Sequence, residues 1–175
     1  MENPNGTDTL LTITTLRAVR EYTDRPVPDK TLRLILQAGR ATGSSANRQP
    51  WTFHAVRNRP VLDSLAEKVW EPDNIRGCQV AIAIVLSNRQ ALDAGRAAQN
   101  MMLAAWALGV GSCPNTLRDR DAAREILGVD DDALVPVILS LGFPLRPYRP
   151  KDRDIDAILD RIKRKPLDEI TRFID

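Results

Sequence analysis

Apolar residues recur along this chain in two rhythms. Leu32, Ile35, Leu36 and Gly39 fall at the three- and four-residue spacing of one helix face, in a segment opened by Pro28. Leu62, Leu65, Ala66 and Val69 repeat that spacing behind Pro60. Residues 80–86, Val-Ala-Ile-Ala-Ile-Val-Leu, are apolar without a break, which predicts a central strand covered on both faces. Further strands are predicted over 52–57, from Gly111 onward and over 134–141. Further helices are predicted from an Asp8 cap to residue 16, over 92–108, over 121–127 with Gly128 as the stop, and over 155–162. Residues 17–28 read as extended and end in prolines. Helices alternating with three or four strands predict an α+β sandwich with a small mixed sheet. No internal repeat or low-complexity segment interrupts the pattern, and 175 residues suit one domain over 1–175.

The helix at 92–108 is the one whose surroundings the pattern leaves open. From Ala97 it is apolar nearly all round, which predicts burial. A core position under the sheet would satisfy it, and so would packing against its own copy across the two-fold axis of a homodimer.

Composition narrows the class. Hydrophobic residues make up 43% and charged ones 27%, and the net charge of +2 gives no footing for a nucleic-acid or membrane partner. No apolar run is long enough to span a bilayer, and the first residues lack the regions of a signal peptide. Cys78 and Cys113 match no zinc or redox spacing and read as small buried hydrophobes, which fits a reducing cytoplasm. With His54 as the one histidine, neither a metal site nor a Ser-His-Asp triad has material to draw on.

Candidate chemistry sits elsewhere. Arg17 and Arg20, in an extended segment, can present one guanidinium to a phosphate and the other to a separate group of the same ligand. The loop Ser44-Ser45-Ala46-Asn47-Arg48-Gln49-Pro50-Trp51 offers hydroxyls, the Asn47 and Gln49 amides and an aromatic face. Lys163-Arg164-Lys165 is a second cationic cluster. Each has a plain structural reading as well: surface arginines, a helix-stop loop that satisfies its own backbone, and a solvated helix end. Gly109-Val110-Gly111 is too short for a dinucleotide fingerprint, and Asp130-Asp131-Asp132 for a calcium loop.

Taken in order, these segments resemble the FMN-dependent nitroreductase family. The likeness is carried by Arg17-Ala18-Val19-Arg20-Glu21-Tyr22, by Arg25-Pro26-Val27-Pro28, by the loop 44–51, by the helix and strand over 97–113, by Leu141-Gly142-Phe143-Pro144, and by Lys165-Pro166-Leu167-Asp168-Glu169-Ile170. The resemblance implies a three-layer α+β homodimer with a long central helix. A C-terminal tail over about 143–175 would wrap the partner subunit, and two FMN molecules would lie at the interface. By matching position, Arg17 would meet the phosphate and Arg20 the N1/O2 side of the ring, with Ala18 contributing backbone. Ser44, Ser45, Asn47 and Gln49 would come from the other subunit. Pro114, Asn115 and Thr116 would present backbone at the ring, Asn74 would lie near the flavin, and Arg164 or Lys163 would reach the phosphate. Leu16 and Ala18 depart from the family's Arg and Ser.

The implied activity is ping-pong hydride transfer from NADH or NADPH, through FMN, to nitroaromatic, quinone or similar small acceptors, with no catalytic side chain. The alternatives are a dehydrogenase or dehalogenase on the same scaffold and a non-catalytic flavin-binding dimer. The short connection 87–91 implies an open flavin face and weak discrimination among acceptors. Arg146, Arg149 and Lys151 are candidates for a 2′-phosphate or a solvated tail.

Overall fold

The structure, a computed structural model, describes residues 6–87, 91–146 and 154–174. The connection at 88–90, and with it the open-face expectation, lies outside the described residues, as do Arg149 and Lys151. The chain divides into two compact units, 16–148 and 1–15 with 149–175.

The larger unit is built in three layers. Strands β1 (Trp51–Val56), β2 (Val80–Leu86), β3 (Gly111–Asn115) and β4 (Leu134–Gly142) form one sheet in the order β1-β2-β4-β3. Val80, Ile82, Ile84 and Leu86 pack into a core with α2 (Asp29–Arg40) and α5 (Ala91–Ala107). Ala81, Ala83 and Val85 point the other way, into a core with α3 (Arg59–Ala66), α4 (Pro72–Arg76) and α6 (Arg120–Leu127). All seven residues of β2 are buried, as the unbroken apolar run requires.

The sheet expected to be mixed is antiparallel at each of its strand pairs. Among the described residues the parallel component is a single bridge, Ala18 to Ser112. The run at 80–86 reports burial on two faces, and two helical layers supply that to an antiparallel strand as well as to a parallel one.

The predicted helices and strands stand within a few residues of their observed ends. Asn58 caps α3 by accepting from the Val61 N–H at 3.2 Å, Asp119 caps α6 through the Ala122 N–H at 3.1 Å, and Gly128 ends α6 at φ +62°. Asp8 lies inside the first turn of α1 (Gly6–Thr15) rather than ahead of it. Two short helices were not expected, α4 and α8 (Leu167–Ile170), while α7 (Ile155–Leu159) is shorter than the 155–162 pattern suggested. Helix α5 is covered on one side only. Ala94, Ala97, Ala98, Met101, Met102 and Ala105 are buried, whereas Gln99, Asn100 and Ala107 are exposed, so one chain does not bury the helix all round. In the smaller unit α1 packs against α7. Leu167, Ile170, Phe173 and Ile174 are exposed there. No described helix is long and apolar enough to cross a membrane.

Both cysteines are free and buried. Burial pushes the Cys78 thiol up from 9.0 to about 11 and raises Cys113 as well. Below pH 9 both thiols are protonated whether the chain is folded or not, so their contribution is fully present. As pH rises from 9 through 11 the unfolded chain releases the Cys78 proton and the folded one retains it, which favours unfolding. The melting temperature is therefore expected to fall over that range. Cys78→Ala should flatten the fall by about 2–3 kcal/mol, at about 1.4 kcal/mol per unit of pKa. Calorimetry of both proteins between pH 8 and 11 checks this, and parallel curves would refute it.

Candidate functional site

The extended segment 17–23 lies as a strap over the ends of β3 and β4. The Val19 N–H donates to Ser112 O at 2.9 Å, the Thr23 N–H to Phe143 O at 2.8 Å, and the Leu145 N–H to Glu21 O at 3.0 Å. Beneath the strap two glycines face one another across the strands, Gly111 and Gly142. A Cβ on Gly111 would fall 2.7 Å from Val19 Cβ, and one on Gly142 would fall 2.8 Å from Tyr22 Cδ1. The strand ends are thus bare backbone where Val19 and Tyr22 press down, and no other residue fits there.

With Val19 and Tyr22 holding the strap to the sheet, Arg17 and Arg20 border a cleft of about 300 Å³. The strap from Arg17 to Glu21 makes one wall, and Trp106, Pro144 and Arg146 make the other. Arg17 Nη1 donates to the Leu16 carbonyl at 2.9 Å, which turns the guanidinium back along the chain. Arg146 stands 3.8 Å from Glu21. Arg20 has no ion pair among the described residues. Its charge is nonetheless felt at β3, where it draws down part of the rise that burial imposes on Cys113. Three guanidiniums and an indole on one cleft suit a ligand that is both anionic and aromatic.

Beyond Ser112, β3 ends in Pro114 and Asn115. Pro114 and Thr116 are exposed, whereas Asn115 is 4% exposed. The Asn115 side-chain amide donates to Cys113 O at 3.0 Å, Ile138 O at 3.1 Å and Ser140 Oγ at 3.1 Å, and its Oδ1 accepts from Asn74 Nδ2 at 2.9 Å. Asn74 on α4 is 6% exposed. Both amides are committed to this internal network on the α4 side of the sheet.

The loop after α2 forms a separate surface. Ala46, Asn47 and Gln49 have φ of 51°, 52° and 48°, the left-handed region that costs a side-chain-bearing residue about 1–2 kcal/mol. Ser44 braces this shape, its Oγ accepting the Gln49 N–H at 2.8 Å, and the Ser44 and Ser45 carbonyls accept the Asn47 and Arg48 N–H groups. The Asn47 side-chain amide has no partner among the described residues. None of Ser44, Ser45, Asn47 or Gln49 borders the arginine cleft. Gln49 borders a second cleft, with Trp51 stacked on Phe53 at 6.4 Å and Arg33 and Arg40 at the rim. Lys163 and Arg164 are exposed in the smaller unit just past α7, Arg164 Nη1 donating to the Lys163 carbonyl at 2.9 Å.

The structure therefore brings together Arg17, Ala18 and Arg20 in one cleft and bonds the strap to Ser112 on β3, while none of Pro114, Asn115 and Thr116 borders that cleft. It holds Asn74 and Asn115 to each other and leaves the 44–49 loop apart within one chain. Trp106 and Glu21 border the cleft without having been singled out from sequence. Trp106 read only as apolar helix perimeter, and its signal was its place one turn before the Gly109 helix stop.

Against known proteins, the Nitroreductase family model matches residues 13–72 and 72–143. A proposed NADH dehydrogenase/NAD(P)H nitroreductase of Archaeoglobus fulgidus is 31% identical over 144 residues, 75% of this chain and 83% of that protein. A solved structure of a proposed nitroreductase from Desulfovibrio desulfuricans, in complex with FMN, is 29% identical with a TM-score of 0.79, covering 100% of this chain and 99% of that one. A structure of an FMN-dependent nitroreductase from Clostridium difficile is 25% identical with a TM-score of 0.75, covering 89% and 98%.

Proposed function

This chain belongs to the nitroreductase family, and we propose that it is an NAD(P)H-dependent FMN oxidoreductase. Its proposed acceptors are small nitroaromatics, quinones or similar compounds, reduced in ping-pong fashion. The observation that carries the reading is the cleft where Arg17, Arg20 and Arg146 meet Trp106, with Arg20 unpaired among the described residues. A fixed cationic wall beside an aromatic face fits a ligand that joins a phosphate to a flat ring system. FMN, when bound, supplies the redox step and gathers negative charge at one edge of its ring on reduction. Arg17 is proposed to hold the phosphate. Arg20, whose planar guanidinium offers several donors in a fixed fork, is proposed to meet the ring edge where that charge develops. The one histidine, His54, lies on β1 and does not border the arginine cleft.

One chain supplies only part of such a site, because the 44–49 loop does not reach the cleft. A homodimer, with Ser44, Ser45 and Asn47 of one subunit facing the arginine cleft of the other, completes it. The exposed Leu167, Ile170, Phe173 and Ile174 support a tail over about 143–175 that wraps the partner. Lys163 and Arg164, on that tail, are then the second source of positive charge for the phosphate. The two unbridged cysteines support a cytoplasmic setting.

The test is a visible spectrum of the purified protein followed by anaerobic titration with NADH and with NADPH. Bound yellow flavin that bleaches with either donor is expected. Flavin that stays oxidised with both overturns the reductase reading, and a protein that neither carries nor takes up FMN overturns the flavin reading. Asn47→Ala removes an amide with no internal partner. It should leave the apoprotein melting temperature unchanged while weakening FMN retention about tenfold, the worth of one net hydrogen bond. Unchanged retention in a verified dimer would remove this loop from the site.

A further inference from the structure

The strap that carries both arginines is tied to the strand ends by backbone bonds and, at the Val19 carbonyl, by one hydroxyl that ends a buried network of hydrogen bonds. Tyr22 Oη lies 2.5 Å from the Val19 carbonyl and 3.0 Å from Ser140 Oγ. The Val19 carbonyl can only accept, so the tyrosine donates to it and its lone pairs can accept the Ser140 proton, for which the Cys113 carbonyl at 3.3 Å is the other acceptor. Ser140 Oγ in turn accepts from Asn115 Nδ2 at 3.1 Å, and Asn115 Oδ1 accepts from Asn74 Nδ2 at 2.9 Å. Asn74, Asn115 and Ser140 thus form a connected buried network behind Tyr22, anchored in the sheet by the Asn115 and Ser140 bonds to the Cys113 and Ile138 carbonyls. Ser140 is fully buried and lies on β4, 118 residues away from Tyr22 in the chain. Connected bonds in a low-dielectric interior support one another, so Tyr22 meets an oriented partner in Ser140.

We propose that Tyr22 is a positioning residue of the flavin site. Its hydroxyl fixes the carbonyl between Arg17 and Arg20, and thereby fixes where the two guanidiniums stand relative to β3. The proposal rests on the flavin reading for its functional consequence. A phenylalanine would fill the same space over Gly142 and bury the same ring. Register is already set by the Val19–Ser112 and Thr23–Phe143 backbone bonds; what the hydroxyl adds is a hold on the Val19 carbonyl, and with it the orientation of the peptide that leads into Arg20. Burial keeps the phenol protonated by raising its pKa, with Ser140 and the Arg20 charge opposing that rise only in part, so the donor persists at any working pH.

The network also gives Asn74 and Asn115 a role that needs no contact with a ligand. They orient Ser140, Ser140 orients Tyr22, and Tyr22 holds the Val19 carbonyl. Removing the hydroxyl should therefore move the arginines without moving the rest of the core.

Tyr22→Phe separates this role from simple stabilisation through two readouts. In the apoprotein, amide hydrogen exchange at residues 17–20 should rise about tenfold while exchange in β2 stays at the wild-type rate. In the holoprotein the midpoint potential of bound FMN should fall by about 30 mV. That corresponds to a tenfold loss in affinity for the reduced relative to the oxidised cofactor in a two-electron couple. Ser140→Ala, which leaves Tyr22 its hydroxyl but removes the partner behind it, should shift both readouts in the same direction by less. It supplies the same two measurements should Tyr22→Phe fail to fold. Wild-type exchange at 17–20 in the variant overturns the positioning role, whatever the cofactor. A wild-type protein that takes up no FMN overturns the flavin reading alone, since the exchange arm still decides the rest. Faster exchange with an unchanged potential in a protein that does bind FMN overturns the link from Tyr22 to the cofactor.

Discussion

Gly142→Val is expected to lower stability by about 3 kcal/mol or more and to abolish FMN retention. A Cβ at this position falls 2.8 Å from Tyr22 Cδ1 and 2.9 Å from its Cβ and Cγ. These atoms are close to the strap backbone and cannot swing aside as the tip of a flexible side chain would. Strand β4 is paired on both sides, to β2 and β3, so it cannot give way cheaply. The strap therefore yields, and Tyr22 loses its packing together with its bonds to Val19 and Ser140. Overpacking alone costs about 1–3 kcal/mol, and expelling a buried aromatic side chain about 3–5. For a chain of this size the melting temperature should fall by about 10 °C. Gly142→Ala should give a smaller loss in the same direction. A valine variant that melts with the wild type and retains FMN would show that the strap does not lie on this glycine.

How much of this was legible beforehand differs from element to element, for physical reasons. The run at 80–86 and the helical spacing from Leu32 to Gly39 are local patterns, and each maps onto β2 and α2. Helix α4 has five residues, too few to display a period, and was invisible. The sheet order depends on which distant strands pair, which no window of sequence contains. Arg17 and Arg20 could be associated because they share one extended segment. Trp106 and Arg146 could not, because their place at the cleft follows from how α5 and the end of β4 meet the strap. The 44–49 loop shows a similar limit. Asn47 is a residue that tolerates positive φ, but Ala46 at 51° carries no such signature and is held there by its surroundings. Tyr22 was legible only as part of a motif. Its bonds to Val19 and Ser140 explain why a tyrosine stands in that motif, and they need the whole fold to exist.

Arg20→Ala is expected to separate what Gly142→Val couples, with FMN binding weakened and the fold retained. Arg20 is exposed and has no ion pair among the described residues, so its removal strands no buried partner. The apoprotein should melt within about 0.5 kcal/mol of wild type. A hydrogen bond to a charged group contributes about 1.5–3 kcal/mol, so FMN should dissociate about 10–100-fold more readily. Arg20→Lys keeps the charge but not the planar fork and should fall between the two. Because the guanidinium is solvent-facing, the wild-type advantage should shrink in high salt, where the screening length drops to about 3 Å at 1 M. Fluorescence titration of FMN into each apoprotein at low and high salt, beside its melting curve, measures all of this. Equal FMN affinity in the alanine variant would remove Arg20 from the site, and an equal advantage at both salts would mean that it acts through packing rather than charge. The two variants together divide the cleft into what builds it and what it presents: a loss shared by stability and cofactor marks the glycine shelf, and a loss confined to cofactor marks the arginine.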